Sequence, residues 1–284
     1  MIALLRTEFV KATYRVRTLV IFLLLVGLPT LIVVAIKTNH RHDRAEGGDG
    51  LFFLSQQSGL LVPVAVLAVM SGFLLVVIAG LLAGDAVAGD SASGNLRYVL
   101  MRPVRRTRLL LAKALVAGFL IWVTVILLAI AGLVAGVIVF GSHPLVVPGF
   151  RNLAGGGSFG VGAGFTLSTS TLLARIAVVT AYVAFGYTAL LAIGMFFSTL
   201  TDTATGAIGG TVGLYIVSEI LDAIPQIGRI RYAFPTHYLD KWQPVFLENR
   251  YPHDMLVGVF VQLAYLVVFG TAAVVWFGRK DIRS

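Results

Sequence analysis

This sequence contains no cysteine and few charged residues. The 284-residue chain contains no cysteine, which excludes disulfides, Cys-ligated zinc or iron–sulfur sites and a thiol nucleophile. Only 12% of its residues are charged, while 58% are hydrophobic, and a soluble fold needs more charge to cover its surface. The apolar runs are long, unlike the short alternating segments of an outer-membrane barrel. The sequence therefore predicts an integral membrane protein built from helices.

The intervals without Asp, Glu, Lys or Arg set the number of membrane crossings. A hydrocarbon core about 30 Å thick needs about 20 apolar residues per helix. Five intervals meet this requirement, and a sixth, 203–218, is short on its own but can be extended to about 199–220. The predicted spans cover about residues 19–36, 57–83, 114–140, 176–200, 201–220 and 256–278. The interval 152–174 is also uncharged, but its six glycines predict a loop. The predicted fold class is thus an all-α membrane protein with six transmembrane helices in one domain, residues 1–284.

The distribution of Lys and Arg predicts the orientation. Six spans place both chain ends on one side of the membrane. Lys and Arg are denser in segments 1–18, 84–113 and 279–284 than in the loops of the other side, which predicts that both termini are cytoplasmic. The net charge of +9 is then explained by anchoring at that face rather than by nucleic-acid binding. Arg outnumbers Lys by 17 to 5, which suggests a GC-rich bacterium and a multi-pass protein of its plasma membrane.

The first 18 residues are too charged to cross a membrane. On a helix their apolar side chains form one stripe, and Glu8, Lys11 and Arg15 lie on the opposite side. This pattern predicts an amphipathic helix over 1–18 that lies in the cytoplasmic interface. A plain basic flank of the first span is the alternative.

The loop at 84–113 contains a short helix between helix breakers. Asn95 is a candidate cap and Pro103 ends the helix. Its apolar face consists of Leu96, Val99 and Leu100. Such an element can dock in a groove of a cytoplasmic partner, although a basic loop that only enforces topology gives the same composition.

This loop resembles the cytoplasmic loop of ABC-2 type permease subunits, the membrane halves of bacterial ABC transporters. Their pattern is an acidic residue, a Gly, a leucine-rich helix, a Pro-x-Arg and a helix that reaches a Lys. The matching residues are Asp90, Gly94, Leu96 to Leu100, Pro103 to Arg105 and Leu109 to Lys113. The sequence departs from the usual pattern at Asp90, where Glu is commoner, and at Asn95 to Arg97, where a Thr-Leu-Glu-like run is common. The residues to which the resemblance assigns ATPase coupling are Asp90, Gly94, Asn95, Leu96, Arg97, Val99, Leu100, Pro103, Arg105 and Arg106.

The resemblance implies a specific assembly. A permease of this family pairs with a second permease, here expected to be identical, and each binds one ATP-binding subunit through the short helix, which is the coupling helix. Closure of the two ATPases switches the membrane halves between inward-facing and outward-facing states. The expected function is export of a hydrophobic or amphipathic substrate such as a lipid, drug or peptide. Spans 2 and 5 usually border the pathway in such proteins, and the segment before span 6 usually dips into the outer leaflet.

The sequence predicts that this chain does not hydrolyse ATP by itself. No Gly-Lys pair occurs anywhere in the chain, which excludes a G-x-x-x-x-G-K-[ST] phosphate loop. We therefore expect no cofactor in this chain, a non-catalytic role for it, and ATP with Mg on the partner subunit.

Two other classes remain alternatives. A secondary transporter needs ionisable groups within its spans, and these are almost absent. A membrane enzyme needs a catalytic or metal-binding constellation, but Asp85 and Asp90 stand alone in a basic loop, which favours local pairing with nearby Arg over a metal site. All five histidines fall in predicted outer loops, where we expect them to be solvated.

Small residues recur in span 5. The glycines are Gly206, Gly209, Gly210 and Gly213. Their spacing allows close approach of a second helix, either within the chain or at a dimer interface.

Prolines and aromatic residues characterise the outer segment at 221–255. Pro225, Pro235, Pro244 and Pro252 divide it into short pieces. The aromatic residues are Tyr232, Phe234, Tyr238, Trp242 and Phe246, a composition typical of membrane interfaces. We expect re-entrant or interfacial pieces that anchor at the outer leaflet; ligand binding is the alternative.

Overall fold

The chain forms a bundle of long helices in the computed structural model. The structure describes residues 2–13, 16–38, 55, 58–92, 106–143, 145–147, 165–247 and 252–279. An N-terminal helix, Ile2–Thr13, precedes the apolar helices. Five unbroken helices are long and apolar enough to cross a membrane. They are Val16–Thr38 (span 1), Arg106–Phe140 (span 3), Thr169–Leu200 (span 4), Ala204–Asp222 (span 5) and His253–Arg279 (span 6).

Span 2 is broken into two halves. A 3-10 turn at Gly59–Leu61 leads into the helix Val62–Ser71, and a second helix, Leu74–Ala86, follows at an angle of 60°. Ser71 and Gly72 form the kind of Ser/Gly pair at which helices kink. The carbonyl of Ser71 accepts a hydrogen bond from the Tyr187 hydroxyl of span 4. The backbone at the kink is therefore hydrogen-bonded to span 4 inside the bundle.

The two halves of span 2 together make one crossing. At one end, the backbone N–H of Gly59 donates to the carbonyl of Gly141, just after span 3, at 3.1 Å. Beyond the other end, Asp90 pairs with Lys113 near the start of span 3. Between Lys113 and Gly141 span 3 rises about 40 Å at 1.5 Å per residue, so span 2 traverses the full thickness. The fold class is confirmed as an all-α membrane protein, and the described helices give six crossings when the two halves of span 2 count as one.

The N-terminal helix and the last turns of span 6 lie at one end of this bundle. The N-terminal helix reaches Lys113 through Glu8. The last turns of span 6 lie beyond Phe269, whose ring packs on Phe196 near the end of span 4. We call this the inner end, and the opposite end, which holds Gly141, the outer end.

Span 4 is the centre of the bundle. In its most apolar window 72% of the residues are buried, against 33% or less in the other unbroken spans. A Cβ placed on Gly194 would lie 2.6 Å from the Cβ of Ala83 in span 2 and 2.8 Å from Oγ1 of Thr211 in span 5. The glycine therefore permits close packing of spans 2 and 5 against span 4.

The helices extend past the predicted spans. Span 3 begins at Arg106 and span 4 at Thr169, each several residues earlier than predicted, because a helix does not have to end where the hydrocarbon ends. Ser168 caps span 4, where its hydroxyl accepts from the N–H of Thr171. Within the uncharged interval read as a loop, the strand Phe165–Leu167 pairs antiparallel with Leu145–Val147.

The outer segment folds back into the bundle. It consists of 3-10 helices at Pro225–Ala233 and Thr236–Tyr238 and a short helix at Pro244–Leu247. Arg175 of span 4 donates to the carbonyl of Val245 at 2.7 Å, whereas Leu239 packs against Gly186. These two contacts are 11 residues apart on span 4, so the segment dips by about 16 Å.

Two expectations about this segment differ from the structure. Trp242 and Phe246 are fully buried, because the re-entrant path places them against protein rather than at the lipid interface. His237 is only 8% exposed, and its Nδ1 lies 2.6 Å from Oδ1 of Asp222 at the end of span 5. The prediction of a solvated histidine was therefore wrong at this position.

Candidate functional site

The structure describes both ends of the predicted coupling loop. Asp90 lies in a short helix, Ala88–Ala92, that follows span 2, and Arg106 is the first residue of span 3. The other predicted coupling residues fall outside the described residues. They are Gly94, Asn95, Leu96, Arg97, Val99, Leu100, Pro103 and Arg105.

Span 4 fixes the backbone that carries Asp90. The Ser198 hydroxyl accepts from the N–H groups of Val87 and Ala88, at 3.2 and 2.9 Å. The same hydroxyl donates to the carbonyl of Gly84 at 3.1 Å. This satisfies the first N–H groups of the short helix and ties the junction after span 2 to the centre of the bundle.

The Asp90 carboxylate is buried and paired on both oxygens. Its residue is 1% exposed. The ammonium of Lys11, from the N-terminal helix, donates to Oδ1 at 2.5 Å, and the ammonium of Lys113, from span 3, donates to Oδ2. Asp90 therefore joins three separate elements of the chain.

A second carboxylate completes the network. Lys113 also donates to Oε2 of Glu8 on the N-terminal helix at 3.0 Å. We call Glu8, Lys11, Asp90 and Lys113 the inner charge cluster. Its two acids and two bases balance in charge, which is the condition under which ionised groups tolerate burial.

The cluster keeps Asp90 ionised. Burial alone raises the pKa of the Asp90 carboxyl, but the ammonium groups of Lys113 and Lys11 outweigh that effect and hold the pKa below its usual value. The arrangement offers no activated nucleophile, and among the described residues no group of three or more His, Asp or Glu side chains has the arrangement of a metal site. Its physical role is to join helices at the inner end.

Sequence reasoning found Asp90 and Lys113 as parts of one motif, but not that they pair with each other or with the N-terminal helix. The structure shows Asp90 paired with lysines 79 and 23 residues away in sequence. Glu8 and Lys11 were assigned to the polar face of an interfacial helix, where charge ordinarily indicates water or lipid headgroups. Because these contacts are long-range, no local pattern identifies them.

The glycines of span 5 have different environments. A Cβ on Gly210 would meet the ring of Phe197 at 3.2 Å, and one on Gly206 would meet Thr203 at 3.0 Å. A Cβ on Gly209 or Gly213 would meet no atom of the described chain within 4 Å. Gly210 thus packs within the chain, while Gly209 and Gly213 lie on an open face.

Comparison with known proteins places the chain in a family. The family model described as ABC-2 family transporter protein matches residues 2–228, which include the N-terminal helix, spans 1 to 5 and the loop between spans 2 and 3. A search of curated proteins finds no match. Because the family model covers well over half of the sequence, the chain belongs to the ABC-2 transporter family.

Proposed function

We propose that this permease component of an ABC transporter exports a hydrophobic or amphipathic substrate, such as a lipid, drug or peptide, using ATP that a separate subunit hydrolyses. Family membership supports the permease role. The observation that carries the coupling mechanism is the inner charge cluster, which holds together the two helices that flank residues 93–105. Mg²⁺ and ATP would bind the partner, not this chain.

The cluster supports coupling because of where it lies. Asp90 is two residues before the end of its helix, and Lys113 lies within the first turns of span 3. A displacement of the segment between them therefore acts on spans 2 and 3 together. A cytoplasmic ATPase that binds the apolar face predicted at Leu96, Val99 and Leu100 would move both helices as a pair.

The orientation that this mechanism needs follows from charge. The N-terminal helix, the last turns of span 6 and the cluster lie at the inner end of the bundle. Segments 1–18, 84–113 and 279–284, which carry the denser Lys and Arg, contain or adjoin these elements in sequence. The positive-inside rule then puts the inner end in the cytoplasm, where ATP is available, and the predicted setting is a bacterial plasma membrane.

The open face of span 5 supports a second, identical permease. Gly209 and Gly213 are four residues apart, a Cβ at either would meet no described atom within 4 Å, and Ile216 and Ile220 extend the same face. Small residues at this spacing permit the close helix approach that stabilises membrane dimers. We propose that two copies pair through this face and that each binds one ATPase.

The kink in span 2 supports a pathway near the middle of the membrane. Phe73 leaves the helical conformation, with φ −140° and ψ −56°, and its side chain is 68% exposed. Non-helical backbone at membrane depth is tolerated only where protein or water covers it. In the proposed dimer, the second copy or a water-filled pathway meets this requirement.

Substitutions in the loop test the proposed function. We expect Leu96→Asp and Leu100→Asp to leave the permease folded while binding of the neighbouring ATP-binding subunit falls by about one to two orders of magnitude, because one buried Leu contributes about 1.5–3 kcal/mol. Co-purification of the two subunits, followed by ATPase assays, measures this. Ser142→Asp, at an exposed position of the outer end, is the matched control. If the loop variants bind and stimulate the ATPase normally, the loop is only a topology determinant and the proposal fails.

Disulfide cross-linking tests the dimer. The chain has no native cysteine, so Gly213→Cys introduces a single thiol on the open face of span 5. We expect oxidation in native membranes to give a covalent dimer. Ile138→Cys, exposed on span 3, is the control, and equal cross-linking at both positions would contradict the proposed interface.

A further inference from the structure

The polar face of the N-terminal helix is directed partly into the bundle. The Glu8 side chain is 14% exposed and that of Lys11 is 33% exposed. Both take part in the inner charge cluster. If this helix only lay in the membrane interface, its charged side chains would remain at the lipid headgroups or in water. The contacts of Glu8 and Lys11 therefore indicate that the helix has a role besides anchoring.

We propose that the N-terminal helix is part of the coupling unit, and that Lys11 and Glu8 are positioning residues that hold the two ends of loop 93–105 at a fixed separation. This inference rests on the proposed function. It adds a third element to the two helices that flank the loop.

Residue spacing allows one helix to reach both ends of the loop. Glu8 and Lys11 are three residues apart, so they lie on the same helix face. Lys11 holds Asp90, just before the loop, and Glu8 holds Lys113, just after it. Because Asp90 and Lys113 also pair with each other, the contacts form a continuous chain from one end of the loop to the other across the N-terminal helix.

An aromatic contact fixes the same helix to span 3. The rings of Phe9 and Phe119 meet edge to face at 5.8 Å. Phe119 lies six residues, or about 9 Å, further along span 3 than Lys113. The N-terminal helix is therefore attached to span 3 at two levels, through charge and through ring packing, and should move with it.

The kink sets the limit of the moving unit. Gly72 separates the inner half of span 2 from its outer half, and a Cβ there would meet no described atom within 4 Å. The inner half continues into the short helix that carries Asp90. The unit that responds to the ATPase thus comprises the inner half of span 2, the start of span 3, the N-terminal helix and the inner end of span 4, whose Ser198 binds the junction after span 2.

Distance measurements on the full complex with its ATPase test this unit without knowledge of the substrate. Spin labels at Arg6→Cys and Leu115→Cys, both exposed positions on two of its elements, report the separation of the N-terminal helix and span 3. We expect one narrow distance distribution that is the same without nucleotide and with ATP and vanadate. Adding Lys11→Met should broaden it, whereas Lys11→Arg, which keeps the charge, should restore the narrow distribution.

Enzymology provides the second measurement. Lys11→Met and Glu8→Gln should co-purify with the ATPase as the wild type does, while the stimulation of ATP hydrolysis by the permease falls about tenfold, within the usual range of coupling energies. The matched control is Arg6→Gln, which removes a charge from an exposed position of the same helix and should change neither readout.

The outcomes separate the inference from the proposed function. If Lys11→Met behaves like Arg6→Gln in both measurements, or if the wild-type distance changes with nucleotide, the N-terminal helix is only an anchor and the inference is wrong. If Leu100→Asp abolishes ATPase binding in the same series, the proposed function stands despite that failure. If Leu100→Asp has no effect, the proposed function and the inference both fail.

Discussion

The two ends of the bundle are held by different interactions. The inner end is joined by ion pairs among four side chains from three elements, of which the Asp90–Lys113 pair is buried, and by the bonds of Ser198 to the main chain. At the outer end, side chains of the spans bind backbone carbonyls of the re-entrant segment, as Tyr182 does at Tyr238 (2.5 Å) and Tyr265 at Ala233 (2.9 Å), in addition to the pair of His237 with Asp222. Bonds to the main chain fix the path of a segment, whereas ion pairs join whole helices through flexible side chains. The inner contacts therefore hold several elements to one another, whereas the outer contacts hold one segment against the spans.

The largest expected effect comes from removing the centre of the ion pairs. Asp90→Ala leaves the ammonium groups of Lys11 and Lys113 close together with only Glu8 to balance them. Loss of one partner from a buried pair costs about 3–5 kcal/mol, so we expect a large fall in the thermal unfolding midpoint, measured by tryptophan fluorescence in detergent.

An outer variant provides the comparison for Asp90→Ala. Tyr182→Phe removes one hydroxyl that donates to a backbone carbonyl, and a single neutral hydrogen bond is worth about 0.5–1.5 kcal/mol. Equal destabilisation by the two variants would show that the ends do not differ in this way.

Much of the fold could be predicted from sequence, because a helix that crosses the lipid bilayer needs a continuous run of apolar residues in its own segment. Each crossing needs its own apolar run, so the spans follow from the intervals without charge. The kink at Ser71 could not be predicted in this way, because it depends on a carbonyl that meets Tyr187 more than 100 residues away. The burial of Trp242 likewise follows from a path through the bundle that an aromatic composition does not reveal.

The candidate site was predictable only in part, because some of its contacts join residues that are far apart in sequence. Asp90 was found through a motif in its own loop, and Lys113 closes that motif. Glu8 and Lys11 come from a helix whose charge pattern indicates a solvated face. Their role depends on how that helix packs, which the sequence pattern does not encode.

A pair of glycines tests how closely the helices around span 4 pack. Gly194→Ala places a Cβ 2.6 Å from Ala83, and overpacking of this kind costs about 1–3 kcal/mol. Gly270→Ala adds the same methyl group on span 6, where a Cβ would meet no described atom within 4 Å and where we expect a change within about 0.5 kcal/mol. Unfolding of the two variants side by side measures the difference. A larger loss at Gly270 than at Gly194 would show that the helices around span 4 are not closely packed.

The smallest expected effect is a pH dependence confined to the inner end. The folded pKa of Asp90 lies below that of an unfolded aspartate, so its contribution to stability is complete above the unfolded pKa and is lost as the pH falls through the folded one. The difference in unfolding midpoint between wild type and Asp90→Asn should stay constant from pH 8 to 5 and shrink below about pH 4. A difference that grows on acidification would contradict an ionised Asp90.

Site-specific cross-linking tests most directly the central claim that a separate ATPase drives this permease through the loop between spans 2 and 3. Leu100→Cys introduces a single thiol into a chain without native cysteine, and a photoactivatable reagent attached there labels whatever the loop contacts. The account predicts a cross-link to the ATP-binding subunit in the purified complex and none from Ser142→Cys at the outer end. A complex that forms normally but gives no cross-link from position 100 would contradict the account.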